Sequence, residues 1–260
     1  MIRVVGPLMV LGVVAIPSGL WPQAEVASTR DIAVVSVTLE DLVPGSGGAS
    51  LSADWIHSLP HGTITAGLAS VTVGGVRWAV GRFGGAWRMH PRVLGETLVS
   101  LGPGSLAGEG FFYRHVRAAV SYAAIPSRLL LDGEGQAFDI APFQGEILAA
   151  GITVLPRRGL MTRLSYGRSV GGNYDADYLL MRADLRNGRI GGLGGFSAGK
   201  SGPKLEDLTL TGSPASPQWE IFAGAVVPLY GVEWTVVLSH TWGEVVRRES
   251  IVLTSRIPLR

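Results

Sequence analysis

No cysteine occurs in the 260 residues, and lysine occurs only as Lys200 and Lys204. The first absence excludes disulfides and thiolate metal sites, and it fits an oxidising compartment. The second removes a side chain that commonly covers the outer face of a soluble sheet. Charge is scarce altogether: Asp, Glu, Lys and Arg make up 16% and the net charge is +2. No strong field calls for nucleic acid, so that class of partner is set aside. Beyond the N-terminal region no apolar run is long enough to cross a membrane as a helix, and no long segment keeps a helical period.

What is present begins with MIRVVGPLMVLGVVAIPSGLWPQA. One basic residue, Arg3, precedes an apolar run from Val4 to Ile16, which Pro17, Ser18 and Gly19 interrupt. That run suits the core of a secretory signal and is short for a membrane span. The expectation is a signal peptide over residues 1–27, cleaved near 24–27 beside Ala24 or Ala27, with residues 28–260 as one domain. A retained anchor is the alternative.

From Asp31 onward the period is two. DIAVVSVTLE sets Ala33, Val35, Val37 and Leu39 on one face, and TITAGLASVTV and VRWAVGRF flank Gly74-Gly75 as a hairpin. LMTRLSYGRS opposes Leu160, Thr162, Leu164 and Tyr166 to Met161, Arg163, Ser165 and Gly167. DYLLMRADLR opposes Leu179, Met181, Ala183 and Leu185 to Leu180, Arg182, Asp184 and Arg186. Turn signals separate the runs at Leu59-Pro60-His61-Gly62, Pro103-Gly104, Pro156-Arg157-Arg158-Gly159, Asn187-Gly188 and Tyr230-Gly231. The pattern predicts an all-β chain folded as a closed antiparallel up-and-down transmembrane β-barrel. Ten residues per strand and nine per connection give about 12 strands, with 10–14 as the range.

A soluble sandwich also alternates, but the strand charges here are largely arginines on the less apolar face: Arg163, Arg182 and Arg186, with Asp184 among them. A small barrel interior satisfies such a lattice by mutual hydrogen bonding, whereas a sandwich core does so only by pairing each ion. The segment VEWTVVLSHTW adds Glu233 and Thr235 to the inward candidates, with Val237 an apolar exception on that face. Trp234 and Trp242 fall on the opposite face, about 26 Å apart along the strand, near the height of a barrel's apolar band once tilt is allowed for. They are the candidate interface residues, and His240 beside Trp242 is the polar exception.

No catalytic, cofactor or metal constellation is legible. GGFSAGKS matches a phosphate-loop pattern, but Gly202-Pro203 follow at once and prevent the helix that such a loop requires. LDGEGQAFD reads as a loop carrying Asp132, Glu134 and Asp139, with spacing unlike an EF-hand. His57 and His61 straddle a turn, and Ser239 and His240 point to opposite faces of one strand. Ser121, Ser165 and His115 share only the prospect of meeting inside a barrel.

NYDADYLLMRADL followed by GGLGGFSAGKSGPKLEDL resembles the C-terminal half of YaiO-type outer-membrane β-barrel proteins, with Tyr174, Tyr178, Arg182, Gly199 and Pro203 at the matching positions. IPSRLLLDGEGQAFDIAPFQGEILAAGITVLP is similar to that family's charged loop and following strand. The resemblance spans roughly residues 110 to 210 and implies an outer-membrane barrel with no catalytic residues to carry over. The chain departs from it in ending Ile257-Pro258-Leu259-Arg260, without the terminal aromatic that barrel-assembly machinery reads.

The expected role is therefore structural or that of a narrow pore in a bacterial outer membrane. Lipid and the assembly machinery are the expected partners, and any small solute or protein partner is left unidentified. A secreted β-sandwich binding glycan or a protein, and a barrel-embedded hydrolase, are the alternatives.

Overall fold

The computed structural model describes residues 31–43, 47–73, 76–106, 108–140, 143–173, 177–187, 190–200, 217–243 and 247–259. The expected signal peptide lies outside them. Fourteen strands follow one another: β1 (Asp31–Val43), β2 (Gly48–Leu59), β3 (Gly62–Val73), β4 (Val76–His90), β5 (Val93–Leu106), β6 (Glu109–Ile125) and β7 (Leu129–Ile140). Then come β8 (Phe143–Arg157), β9 (Leu160–Gly172), β10 (Asp177–Asn187), β11 (Ile190–Lys200), β12 (Pro217–Leu229), β13 (Val232–Gly243) and β14 (Arg247–Pro258). Every strand pairs antiparallel with its sequence neighbours, and β14 returns to β1 with Thr254 opposite Ser36 and Ile257 opposite Ala33. That closure excludes the sandwich, since no edge remains.

Two strands more are present than the central expectation of 12. The cause is short connections, not short strands. The strands run from 11 to 17 residues, while Pro60-His61, Pro91-Arg92 and Tyr230-Gly231 each turn the chain in two. Tyr230 and Gly231 both have positive φ, 52° and 79°, the signature of a tight hairpin turn whose twist matches its strands.

Two further segments differ from the sequence expectation. Pro103-Gly104, read as a turn, lies inside β5, where the β4–β5 ladder omits Gly102 and Pro103. Proline is tolerated where no ladder bond is required of it. LDGEGQAFD, read as a loop, forms most of β7. Its acids alternate with glycines at period two, so Asp132 and Glu134 share one face while Gly133 and Gly135 take the other.

The two faces of the wall differ in chemistry. Outward lie Leu68, Phe83, Leu148, Met181 and Leu238, each more than half exposed. A contiguous apolar exterior of this kind is unstable in water and suits lipid. Inward, residues pack across the barrel into two apolar clusters and several ion pairs. One cluster contains Val71, Trp78, Val80, Tyr113, Phe138, Ile140 and Ile147; the other contains Leu193, Phe222, Val226, Val237 and Val252.

Inward aromatics lie over glycines of the neighbouring strand. A Cβ on Gly104 of β5 would overlap the ring of Phe111, and one on Gly195 of β11 would overlap the ring of Phe222 and the Met181 carbonyl. Glycine is thus the residue that lets a ring lie flat across the adjacent strand. Gly104→Ala is expected to destabilise the barrel by about 1–3 kcal/mol through overpacking. In a Phe111→Ala background the same change should cost much less, because the ring supplies the three nearest contacts. A double-mutant cycle of denaturant unfolding in lipid vesicles reads the coupling; an equal cost in both backgrounds would contradict the packing account.

Candidate functional site

Among the described residues, polar groups converge on the inner face of the barrel. The turns Pro60-His61, Pro91-Arg92 and Tyr230-Gly231 and both ends of the described chain lie at one rim, here the turn end. The opposite rim carries the longest connection, residues 201–216, alongside the two-residue connections 74–75, 107–108 and 141–142.

Near the turn end, Arg186 on β10 reaches Glu233 on β13, with Nη1 3.2 Å from Oε2 and Nη2 3.3 Å from Oε1. Two strands separate them, so the bond spans the inside of the wall. Arg256 on β14 approaches the same carboxylate at 3.7 Å. Arg182 donates through Nε and Nη2 to both oxygens of Asp184, at 2.7 and 2.6 Å. That bidentate fork fixes a planar guanidinium in one orientation.

Midway, Asp132 accepts hydrogen bonds from Ser121 and Thr153, both at 2.6 Å, and Arg163 stands 3.8 Å away. Arg117 donates to Glu134 at 2.8 Å and lies 3.6 Å from Glu96, while Gln136 donates to the other oxygen of Glu134. Across β3, Arg82 donates to Asp54 at 3.2 Å. Gly67 lies beneath that bond, and a Cβ there would overlap the Asp54 carboxylate. Toward the loop end, buried Arg248 sits 3.8 Å from Glu40, and Ser197 donates to Glu220. Burial of such ions is tolerable only because each has an opposite charge or several donors at hand.

Arg163, Arg182, Asp184, Arg186, Glu233 and Thr235 share the alternation phase of the less exposed side chains of their strands. Thr235 is buried, Val237 packs into the second apolar cluster, and the four β9 and β10 ions make the pairs just described. Trp234 and Trp242 point outward at the two ends of β13. Trp242 stands directly opposite Trp219, and Trp234 opposite Val227. His240 is also outward, 3.4 Å from Glu249 and with its ring centroid 5.1 Å from that of Trp242.

The other motifs fall apart as sites. GGFSAGK belongs to β11, with no helix after it among the described residues, and Ser201 lies outside them. His115, Ser121 and Ser165 face inward, but no hydrogen bond joins them. Sequence reasoning missed Glu40, Asp54, Arg82, Glu96, Arg117, Glu220, Arg248 and Arg256. The signal that finds them is the same alternation: in SADWIHSL and VRWAVGRF, Asp54 and Arg82 keep phase with Ser52 and with Trp78 and Val80.

Neither a family model nor a curated protein matches the sequence. Solved structures do. CymD, a monoaromatic hydrocarbon channel, superposes with a TM-score of 0.64 at 10% identity, covering 88% of this chain and 87% of that one. The TodX deltaS2S3 mutant, likewise a monoaromatic hydrocarbon channel, gives 0.61 at 10% identity over 88% and 90%. The toluene transporter TbuX of Ralstonia pickettii gives 0.60 at 10% identity over 90% and 90%. This is the fold of a porin-like outer-membrane β-barrel. At such identity the likeness concerns the wall and its topology; the lumen must be read from its own residues.

Proposed function

We propose that the chain is a narrow, solute-conducting pore of the bacterial outer membrane, with no catalysis. The observation that carries this reading is the bond between Arg186 and Glu233, which bridges four consecutive strands inside a closed wall. A lumen narrowed by paired charges passes small solutes and excludes large ones, and fixed ions of both signs set its preference. The channel fold of the neighbours supports transport over an enzymatic role, and their named cargoes support small organic solutes. Arg163, Arg182, Asp184, Arg186, Glu233 and Thr235 line the proposed path, and Trp234 and Trp242 mark the proposed lipid interfaces.

Further parts of the reading rest on sequence. They are export by residues 1–27, insertion by the barrel-assembly machinery, and the finer YaiO-type affiliation. Tyr178 and Arg182, inward on β10, and Gly199 within β11 support that affiliation; Tyr174 and Pro203 lie outside the described residues.

Two measurements test the proposal. Unboiled protein in detergent should migrate faster on a gel than boiled protein, as a closed barrel resists denaturation. Reconstituted in planar bilayers, it should give discrete conductance steps. Baseline conductance with intact gel mobility would remove the pore and leave a structural barrel.

A further inference from the structure

The outer wall of the barrel is charged at one end and apolar at the other. Toward the loop end, Arg77, Arg114, Arg168, Lys200 and Arg247 are exposed in the outward phase of their strands. Carboxylates stand among them, outward at Asp41, Asp139, Glu146, Asp177 and Glu249. Toward the turn end the outward wall carries Trp55, Trp87, Tyr122 and Trp234, and its charge among the described residues is the Asp31–His57 pair. The exposed arginines of that end sit in its turns, as Arg92, Arg128 and Arg158 do, or beside them, as Arg88 and Arg157 do.

The loop-end charges reach below the strand tips. Arg247, Trp242 and Trp219 form one outward row across β14, β13 and β12. One row further from the rim, Asp41, Glu249 and His240 stand side by side, and Leu39, Ile251 and Leu238 follow. Like charges directly opposite each other repel, and here two carboxylates do so on the membrane side of an aromatic row. Glu249 has His240 at 3.4 Å and Arg247 at 3.8 Å, whereas Asp41 makes no ion pair among the described residues. A groove of about 690 Å³ lies here, with Leu39, Leu238 and Ile251 as its floor and Asp41, His240 and Glu249 toward the rim. Across the barrel a groove of about 430 Å³ repeats the pattern, with Val116 and Ala137 below Arg114, Asp139 and Gln144. Each groove offers an apolar floor to an acyl chain and ions to its headgroup.

The occupant follows from this asymmetry. A bilayer with the same phospholipid in both leaflets would ask the same of both ends of the wall. This wall meets an ionic layer at the loop end and an aromatic interface at the turn end. Fixed charges of both signs fit a headgroup layer of phosphates held together by divalent cations. An arginine takes a phosphate directly. A carboxylate reaches one through magnesium, which binds one or two carboxylates and fills its shell with phosphate oxygens and water. Among the described residues no three ligating side chains converge, so the cation is shared with the lipid. We propose that the loop-end belt docks a phosphorylated glycolipid together with its divalent counter-ions, in the outward-facing leaflet. The inference rests on the outer-membrane location and not on the pore.

Native gels of the detergent-solubilised barrel, titrated with lipopolysaccharide, test the docking. Half-saturation should rise about ten-fold when EDTA replaces magnesium. Asp41→Asn combined with Glu249→Gln should remove most of that magnesium effect. Arg114→Gln and Arg247→Gln should each weaken binding about three-fold, the scale of an exposed ion pair. His57→Gln, at the turn end, should change nothing, and unboiled gel mobility verifies that each variant is folded. Equal retention of phosphatidylethanolamine or phosphatidylglycerol, or an affinity indifferent to magnesium and to these substitutions, would overturn the docking. Because the chain has no cysteine, introduced ones read its sidedness. A membrane-impermeant maleimide should label Glu109→Cys on intact cells and Arg92→Cys only after lysis; the reverse pattern would also overturn the proposal. Binding without conductance would retain the docking and remove the pore; conductance without binding would do the opposite.

Discussion

Glu233→Gln should turn the lumen toward anions. In the native protein one carboxylate faces two guanidiniums, Arg186 at 3.2 Å and Arg256 at 3.7 Å. The amide keeps the volume and a hydrogen-bonding oxygen but removes the charge, leaving two cations side by side within the wall. Under a potassium chloride gradient the reversal potential should move toward the chloride value, and the shift should shrink as salt rises and screens the pair. Stability should fall by about 1–3 kcal/mol, toward the lower figure because Arg186 is 38% exposed and partly screened by water. Arg186→Gln should move selectivity the opposite way at smaller cost, since Arg256 still partners the carboxylate. If both variants shift the reversal potential in one direction, or neither does, ions do not pass this cluster.

Much of the fold was legible because a barrel wall has only two environments. Alternation in β9, β10 and β13 assigns each side chain to lipid or lumen, and β10 shows it most clearly, with Leu179, Met181, Ala183 and Leu185 outward and Arg182, Asp184 and Arg186 inward. Glycine was the obstacle. In β7 and β5 it occupies positions where no side chain is wanted, and those positions resemble turns when read along the chain. Partners across strands were also hidden. Arg186 and Glu233 are 47 residues apart, and nothing local to either announces the other. The stack of Trp78 on Tyr113 was invisible for the same reason: the two rings meet only once the strands are in register.

The largest asymmetry between neighbouring positions is expected on β13. Leu238 points outward, 57% exposed, four residues from Trp234 and four from Trp242. If those tryptophans mark the two interfaces, Leu238 lies at the bilayer midplane. Leu238→Arg should then cost about 2–4 kcal/mol in reversible guanidinium unfolding from lipid vesicles, the range for an arginine at that depth. On the inner face of the same strand, Thr235→Ser removes one methyl group and keeps the hydroxyl, so it should cost no more than about 1 kcal/mol. Moving the arginine toward either end, at Val236 or His240, should lower its cost stepwise, because the guanidinium can then reach the headgroups. A soluble surface would give no such gradient, since an arginine on an exposed strand position meets water wherever it sits. A flat profile from Val236 to His240 would therefore count against lipid on this face, while a peak at Leu238 would fix the height of the barrel in the membrane by Trp234 below and Trp242 above.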